Sequence, residues 1–195
     1  MMFTTLQSLV LASGSPRRRR MLAELGLEFT VAAAEIAEVA ATGEGPADFV
    51  RRLALEKAAA VAAARPESWV LAADTVVALG ERILGKPADQ SQAASMLAAL
   101  SGREHTVWTG FALLRGREQV AEVVATRVWF APLSPSLIRA YVATGEPLDK
   151  AGAYGIQGRG GMLVAKIEGS VSNVIGLPLA EVTTTLINCD IITPA

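Results

Sequence analysis

Two long β-compatible runs lie back to back in the chain, EHTVWTGFALLRG (104–116) and EQVAEVVATRVWFAP (118–132), joined through an Arg-Gly-Arg turn. Strands of that length separated by so short a turn predict a long antiparallel pair, and hence an extended twisted sheet. Other segments alternate strand and helix signals. SLVLA leads into a helix over 16–25, LEFTVAAAE holds a short strand, and a helix opens at Pro46 with Phe49, Leu53 and Ala60 on one face and Pro66 as its stop. WVLAADTVVALG reads as a buried strand interrupted by Asp74, followed by a hairpin-like ERILGKP and an alanine-rich helix around DQSQAASMLAALSG. After the long pair come a helix in SPSLIRAYVATGE, a strand in GGMLVAKIEG and a C-terminal helix in PLAEVTTTLIN with Pro178 at its start. Long strands mixed with β-to-α units predict a mixed α/β (α+β) fold, an extended mixed sheet flanked by helices, in one domain over 1–195.

The composition narrows the function classes. Hydrophobic residues make up 51% of the chain and charged residues 19%, which predicts a packed core rather than a disordered segment. No apolar run approaches a membrane span and the N-terminal segment lacks a basic leader region, so a cytoplasmic protein with no membrane partner is expected. Cys189 is the single cysteine, which excludes an internal disulfide framework. A net charge of −1 disfavours a nucleic-acid partner, because neutralising many phosphates needs a basic excess. A small anionic ligand suits the balance better.

That ligand has a candidate cradle in SLVLASGSPRRRRM (8–21). Ser15 is a good N-cap, Pro16 suits the first helical position, and Met21, Leu22 and Leu25 supply an apolar face before Gly26. A helix start already carries about half a positive charge, so each arginine in that turn costs about 0.3–1 kcal/mol unless an anion is near. The Gly/Ser turn that includes Ser13, the helix start and arginine forks form an anion site suited to phosphate, with Arg17 and Arg18 as candidates and Arg19 and Arg20 exposed. The alternative is a solvated basic turn paired with surface carboxylates.

Other chemistry is limited by what the chain lacks. With His105 as its only histidine and Cys189 as its only cysteine, a zinc cluster or a Cys-His pair has almost no material, and no G-x-S-x-G elbow accompanies His105, which reads as structural. GERILGKP imitates a P-loop as far as Lys86, then places Pro87 where a hydroxyl is needed. Lys86 remains either a phosphate contact or an exposed turn lysine. Asp74 is the sharper signal, because a carboxylate in a buried strand must be paired, protonated or metal-bound. Such an Asp can hold a hard cation or remove a proton from water. Lys57 interrupts an alanine-rich helix, where a lysine is ordinarily solvated. The segment LDKAGAYGIQGRGG (148–161) is too glycine-rich for an element interior; its backbone can approach a ligand, Lys150 and Gln157 offer donors, and Leu148, Tyr154 and Ile156 are expected to anchor it.

Together LASGSPRRRRML, Glu38, the lysine of RLALEKA, AADTVV, GKP, SGREHTVWTG, LDKAGAYGIQG and SNVIGLPL occur in the order seen in the Maf proteins, septum-formation-inhibitor-like nucleotide pyrophosphatases, and the chain resembles that family over nearly its whole length. The resemblance implies a two-lobed fold with a central cleft, similar to inosine triphosphate pyrophosphatases. It also implies hydrolysis of a nucleoside triphosphate to monophosphate and pyrophosphate with a divalent cation, Mg²⁺ or Mn²⁺, and a homodimer, to which the apolar tail NCDIITPA could contribute. AGAYGIQG with ADT resembles the branch acting on dTTP and UTP, whose base-selective positions match Arg17, Thr75 and Gln157. Asp74 matches the proton acceptor, Arg17, Arg18, Lys57 and Lys86 the basic residues around the phosphates, and Glu38 an acid beside the metal held by Asp74. A non-catalytic nucleotide-binding regulator of cell division is the alternative of a different class.

Overall fold

The computed structural model describes residues 2–195. In chain order the elements are β1 (Phe3–Thr5), β2 (Leu9–Leu11), α1 (Pro16–Glu24), β3 (Thr30–Val31), α2 (Pro46–Ala62), β4 (Trp69–Leu79), β5 (Arg82–Leu84) and α3 (Gln90–Leu100). They continue with β6 (Glu104–Arg115), β7 (Glu118–Phe130), α4 (Pro135–Val142), β8 (Val164–Glu168), α5 (Val171–Ile175), α6 (Leu179–Asn188) and β9 (Ile192–Pro194), with short 3₁₀ turns between Glu146 and Leu163. The main sheet has the order β3-β2-β4-β6-β7-β8, with β5 added to β4. It is mixed, because β2 runs parallel to β3 and β4 whereas β5 and β8 run antiparallel to β4 and β7. The long strands expected at 104–116 and 118–132 are β6 and β7, sheet neighbours as their turn requires.

The chain condenses into two compact units: one takes in the chain up to Asp74, Thr109–Val124 and Gly176–Ala195, the other Thr75–Trp108 and Ala125–Ile175. In the first unit, Ala54, Ala58 and Val61 of α2 pack with Val10, Ala12, Val70, Ala72 and Ala112. Small side chains on both partners let the helix come close to the sheet. Gly110 in β6 shows how close, since a methyl group there would stand 2.4 Å from the Val50 carbonyl oxygen. The buried stripe of α2 steps by four residues through Phe49, Leu53, Lys57 and Val61, which corrects the expected placement of Ala60 on that face; Ala60 is exposed. The lysine therefore occupies a core register.

β9 pairs antiparallel with β1, Phe3 opposite Pro194 and Thr5 opposite Ile192, and Ile191 and Ile192 are buried. The apolar residues Ile191 and Ile192 of the tail are thus used within the chain. The strand expected in LEFTVAAAE shrinks to Thr30–Val31.

In the second unit, Asp89 caps α3 and Ser134 caps α4, their side chains accepting from the N–H groups of Gln92 and Leu137. Leu84, Leu97, Leu100, Val128, Phe130 and Ile138 belong to its core. His105 is buried there, edge-on to Phe130 and Tyr154 at centroid distances of 4.9 and 5.4 Å and 2.9 Å from the Tyr154 hydroxyl, a structural histidine as the sequence suggests. Among the described residues no helix is long and apolar enough to cross a membrane.

Candidate active site

The opening helix is built as its sequence signals, with Pro16 in the first turn and the Ser15 hydroxyl accepting from the Arg18 N–H. Arg19 and Arg20 are exposed, and Arg20 pairs with Glu24 one turn on at 2.7 Å. Arg17 is half-buried. Arg18 behaves differently: its Nε donates to the Gly176 carbonyl at 2.7 Å, and its Nη1 donates to the Ala73 carbonyl at 2.7 Å and to Ser13 Oγ at 3.2 Å. Much of that guanidinium fork is thus committed to protein oxygens, and it fastens the Ser13 turn to the strand residue preceding Asp74. Burial lowers the Arg18 pKa while the charge of Asp74 raises it. An arginine keeps its charge under such a shift.

Asp74, Lys57 and Glu38 meet at one point. Lys57 leaves the buried stripe of α2 and its Nζ lies 2.6 Å from both Asp74 Oδ1 and Glu38 Oε1. The side chains of Lys57 and Asp74 are 9% and 8% exposed, whereas that of Glu38 is 45% exposed, so a buried ion pair carries a second, wet acid at its rim. Burial raises the Asp74 pKa, against the pull of the ammonium of Lys57 and the guanidinium of Arg18. The close approach of α2 to the sheet, licensed by its alanines and by Gly110, is what lets Lys57 reach the strand.

Two carboxylates converging on one cation also suit Mg²⁺, which takes hard oxygen ligands and is commonly held by one or two carboxylates together with substrate phosphates. Among the described residues no group of three or more His, Cys, Asp or Glu forms a metal cluster. Two carboxylates would leave the remaining ligands of such a cation to substrate or water.

The remaining candidates, Thr75, Lys86, Lys150 and Gln157, belong to the second unit. Thr75 is half-buried in β4, and Lys86 and Gln157 are exposed. The Gly85 carbonyl beside Lys86 accepts from the Gly152 N–H at 3.1 Å, which brings the GKP turn against the glycine-rich segment. Lys150 Nζ donates to the Glu146 carbonyl at 2.8 Å and to Asp149 at 2.6 Å, and its stem packs over Gly155. Of the expected anchors Tyr154 is buried and Ile156 half-buried, but Leu148 is 38% exposed, a correction; Gly152 and Ala153 are the buried residues at that end. Sequence reasoning missed Glu146 and Tyr141, whose side chains hold this loop through its backbone. The signal available was a lone Gly-Glu-Pro before five glycines, and backbone N–H donors leave no pattern in side-chain chemistry.

With this geometry in place, the likeness to known proteins is informative. The Maf-like protein family model matches residues 8–189, and the chain belongs to that family. It is 58% identical over 173 residues to the dTTP/UTP pyrophosphatase of Myxococcus xanthus, covering 89% of this chain and 88% of that protein. It is 53% identical over 186 residues to the dTTP/UTP pyrophosphatase of Desulfotalea psychrophila, covering 94% and 95%. The fold is similar to that of a HAM1 protein from Coxiella burnetii, with a TM-score of 0.52, 18% identity, and 94% and 100% of the two chains covered.

Proposed function

We propose that this chain hydrolyses nucleoside triphosphates, dTTP and UTP in preference, to the monophosphate and pyrophosphate by attack of water at the α-phosphorus, with Asp74 as the base. The enzyme class, nucleoside triphosphate pyrophosphatase, is the one named for relatives at more than half identity over most of the chain. One observation carries the mechanism: a buried strand carboxylate whose pKa is raised by burial is bonded to a buried lysine, with a solvent-facing glutamate on the same ammonium. Lys57 holds the Asp74 carboxylate in one orientation, and a carboxylate so held can take a proton from water. Asp74 and Glu38 would hold a divalent cation, which supplies neutralisation of phosphate charge. Arg17 and Lys86 add fixed positive charge toward a triphosphate, and a chain so poor in His and Cys suits phosphoryl chemistry, which needs positioning more than a covalent nucleophile. Gln157 reads the base: its amide both accepts from the N3–H and donates to the neighbouring carbonyl of uracil or thymine.

The test is pyrophosphate release from dTTP, UTP, CTP, GTP and ATP with Mg²⁺, Mn²⁺ or EDTA, in the wild type and in Asp74→Asn. The expected result is cation-dependent release favouring dTTP and UTP, reduced about 10²–10⁴-fold in the variant, the range a general base contributes. Triphosphate bound but left intact by the wild type would replace the enzyme with a nucleotide-binding regulator.

A further inference from the structure

The glycine-rich segment that carries Gln157 is wound around a single carboxylate. Glu146 Oε1 accepts from the Gly160 N–H at 3.0 Å and from the Tyr141 hydroxyl at 2.9 Å, while Oε2 accepts from the Arg159 N–H at 3.1 Å. The Tyr141 hydroxyl in turn accepts from the Gly155 N–H at 3.3 Å. Amides at 155, 159 and 160 are thereby tied, directly or through one hydroxyl, to the same carboxylate, and exposed Gln157 lies between them. The sequence accommodates the wrap: Gly158 has φ of +105°, and a methyl group on Gly160 would stand 2.4 Å from the Tyr141 hydroxyl. Burial raises the Glu146 pKa, but the N–H groups of Gly160 and Arg159 and the Tyr141 hydroxyl outweigh it, so the group titrates below the usual carboxylate range and is ionised at neutral pH.

We infer that Glu146, relayed by Tyr141, is a positioning residue for base selection, fixing the backbone on both sides of Gln157 so that its amide meets the pyrimidine edge already aligned. This rests on the reading of Gln157 given above. The physical case is preorganisation: a glycine-rich loop left to itself samples many backbone states, and ordering it on binding subtracts from affinity. Charge-assisted bonds from three donors remove that cost before the nucleotide arrives. Tightening the loop favours the base that matches the amide pattern over one that does not, so the effect falls on discrimination.

The experiment compares kcat and KM for UTP and CTP, which differ in the donor and acceptor pattern at N3 and the adjacent exocyclic group, in Glu146→Gln, Tyr141→Phe, Gln157→Ala and the double variant Glu146→Gln/Gln157→Ala. Amide hydrogen exchange is followed across 155–161. Glu146→Gln preserves size but turns an NH₂ toward N–H donors. The UTP-over-CTP ratio of kcat/KM should fall about tenfold through the KM for UTP, as loss of a bond to a charged group predicts. Exchange should accelerate in that segment, Tyr141→Phe should move the ratio the same way by less, and Glu146→Gln should add nothing to Gln157→Ala. An equal loss for UTP and CTP in Glu146→Gln, while Gln157→Ala does collapse the ratio, overturns the inference and leaves the Gln157 reading standing. A ratio untouched by Gln157→Ala defeats that reading, and the positioning role with it. If Glu146→Gln does not fold, Tyr141→Phe decides: an unchanged ratio overturns the proposal.

Discussion

The acidic centre around Asp74 and the loop around Gln157 are built by opposite means. At the first, side chains on regular elements meet: the strand presents Asp74, the four-residue step of α2 delivers Lys57, and the two bond at 2.6 Å in the interior. At the second, regular structure gives way to 3₁₀ turns, and one carboxylate binds the backbone amides that follow an exposed glutamine and, through the Tyr141 hydroxyl, the amide of Gly155 before it. The contrast fits the different tasks proposed for the two regions. A base must sit at one point with a controlled protonation state, which burial and a charged partner provide. A base-reading group must stay open to solvent and ligand, so its order comes from the backbone beneath it.

The sharpest way to break this comparison is to remove the charge that makes the first region possible. Lys57→Met keeps the stem and deletes the ammonium, leaving Asp74 buried without its partner. Chemical denaturation should report a loss of about 3–5 kcal/mol, most of it recovered by adding Asp74→Asn. A loss below about 1 kcal/mol would mean that the pair is not energetically coupled.

The second unit's own buried titratable group gives the next effect. Burial pushes the His105 pKa from 6.5 down to about 4, so the folded state holds the ring neutral while the unfolded chain protonates first. Stability from this group is fully present above pH 6.5 and is lost as pH falls from there toward 4, reaching about 3 kcal/mol. In His105→Gln the stability-versus-pH curve should be flatter over that window, whereas the profile around the acidic centre should not change.

Smaller again is Gly110→Ala. The added methyl meets the Val50 carbonyl at 2.4 Å, so α2 must lift from the sheet. Overpacking of this kind costs about 1–3 kcal/mol, and kcat should fall as Lys57 is drawn from Asp74. An unchanged kcat would show that the helix approach is not what sets the pair. The smallest effect belongs to Arg20→Ala: its exposed pairing with Glu24 is worth about 0.2–0.5 kcal/mol, and kcat/KM should stay within about twofold of wild type. A large loss there would add Arg20 to the proposed phosphate contacts, against its expected exposure.

The amino-acid sequence by itself determined the sheet's long strands, the capped start of α1, and the oddity of Asp74, because each is a local pattern: an alternating or apolar run, a Ser-Pro entry, a charge where none is cheap. Family motifs named Lys57, Glu38 and Gln157 without joining Lys57 to Asp74 and Glu38. Only the tertiary structure decided that Lys57 is buried in the core stripe while Ala60 is exposed, since an alanine-rich segment marks its faces weakly. It alone separated Arg18, bonded to the carbonyls of Ala73 and Gly176, from its neighbours in the same basic run, and turned the apolar tail into a strand against β1. Glu146 was invisible because two of its partners are backbone amides, which every residue but proline carries, and the third is an uncharged hydroxyl, so the sequence bears no complementary charge to announce the contact.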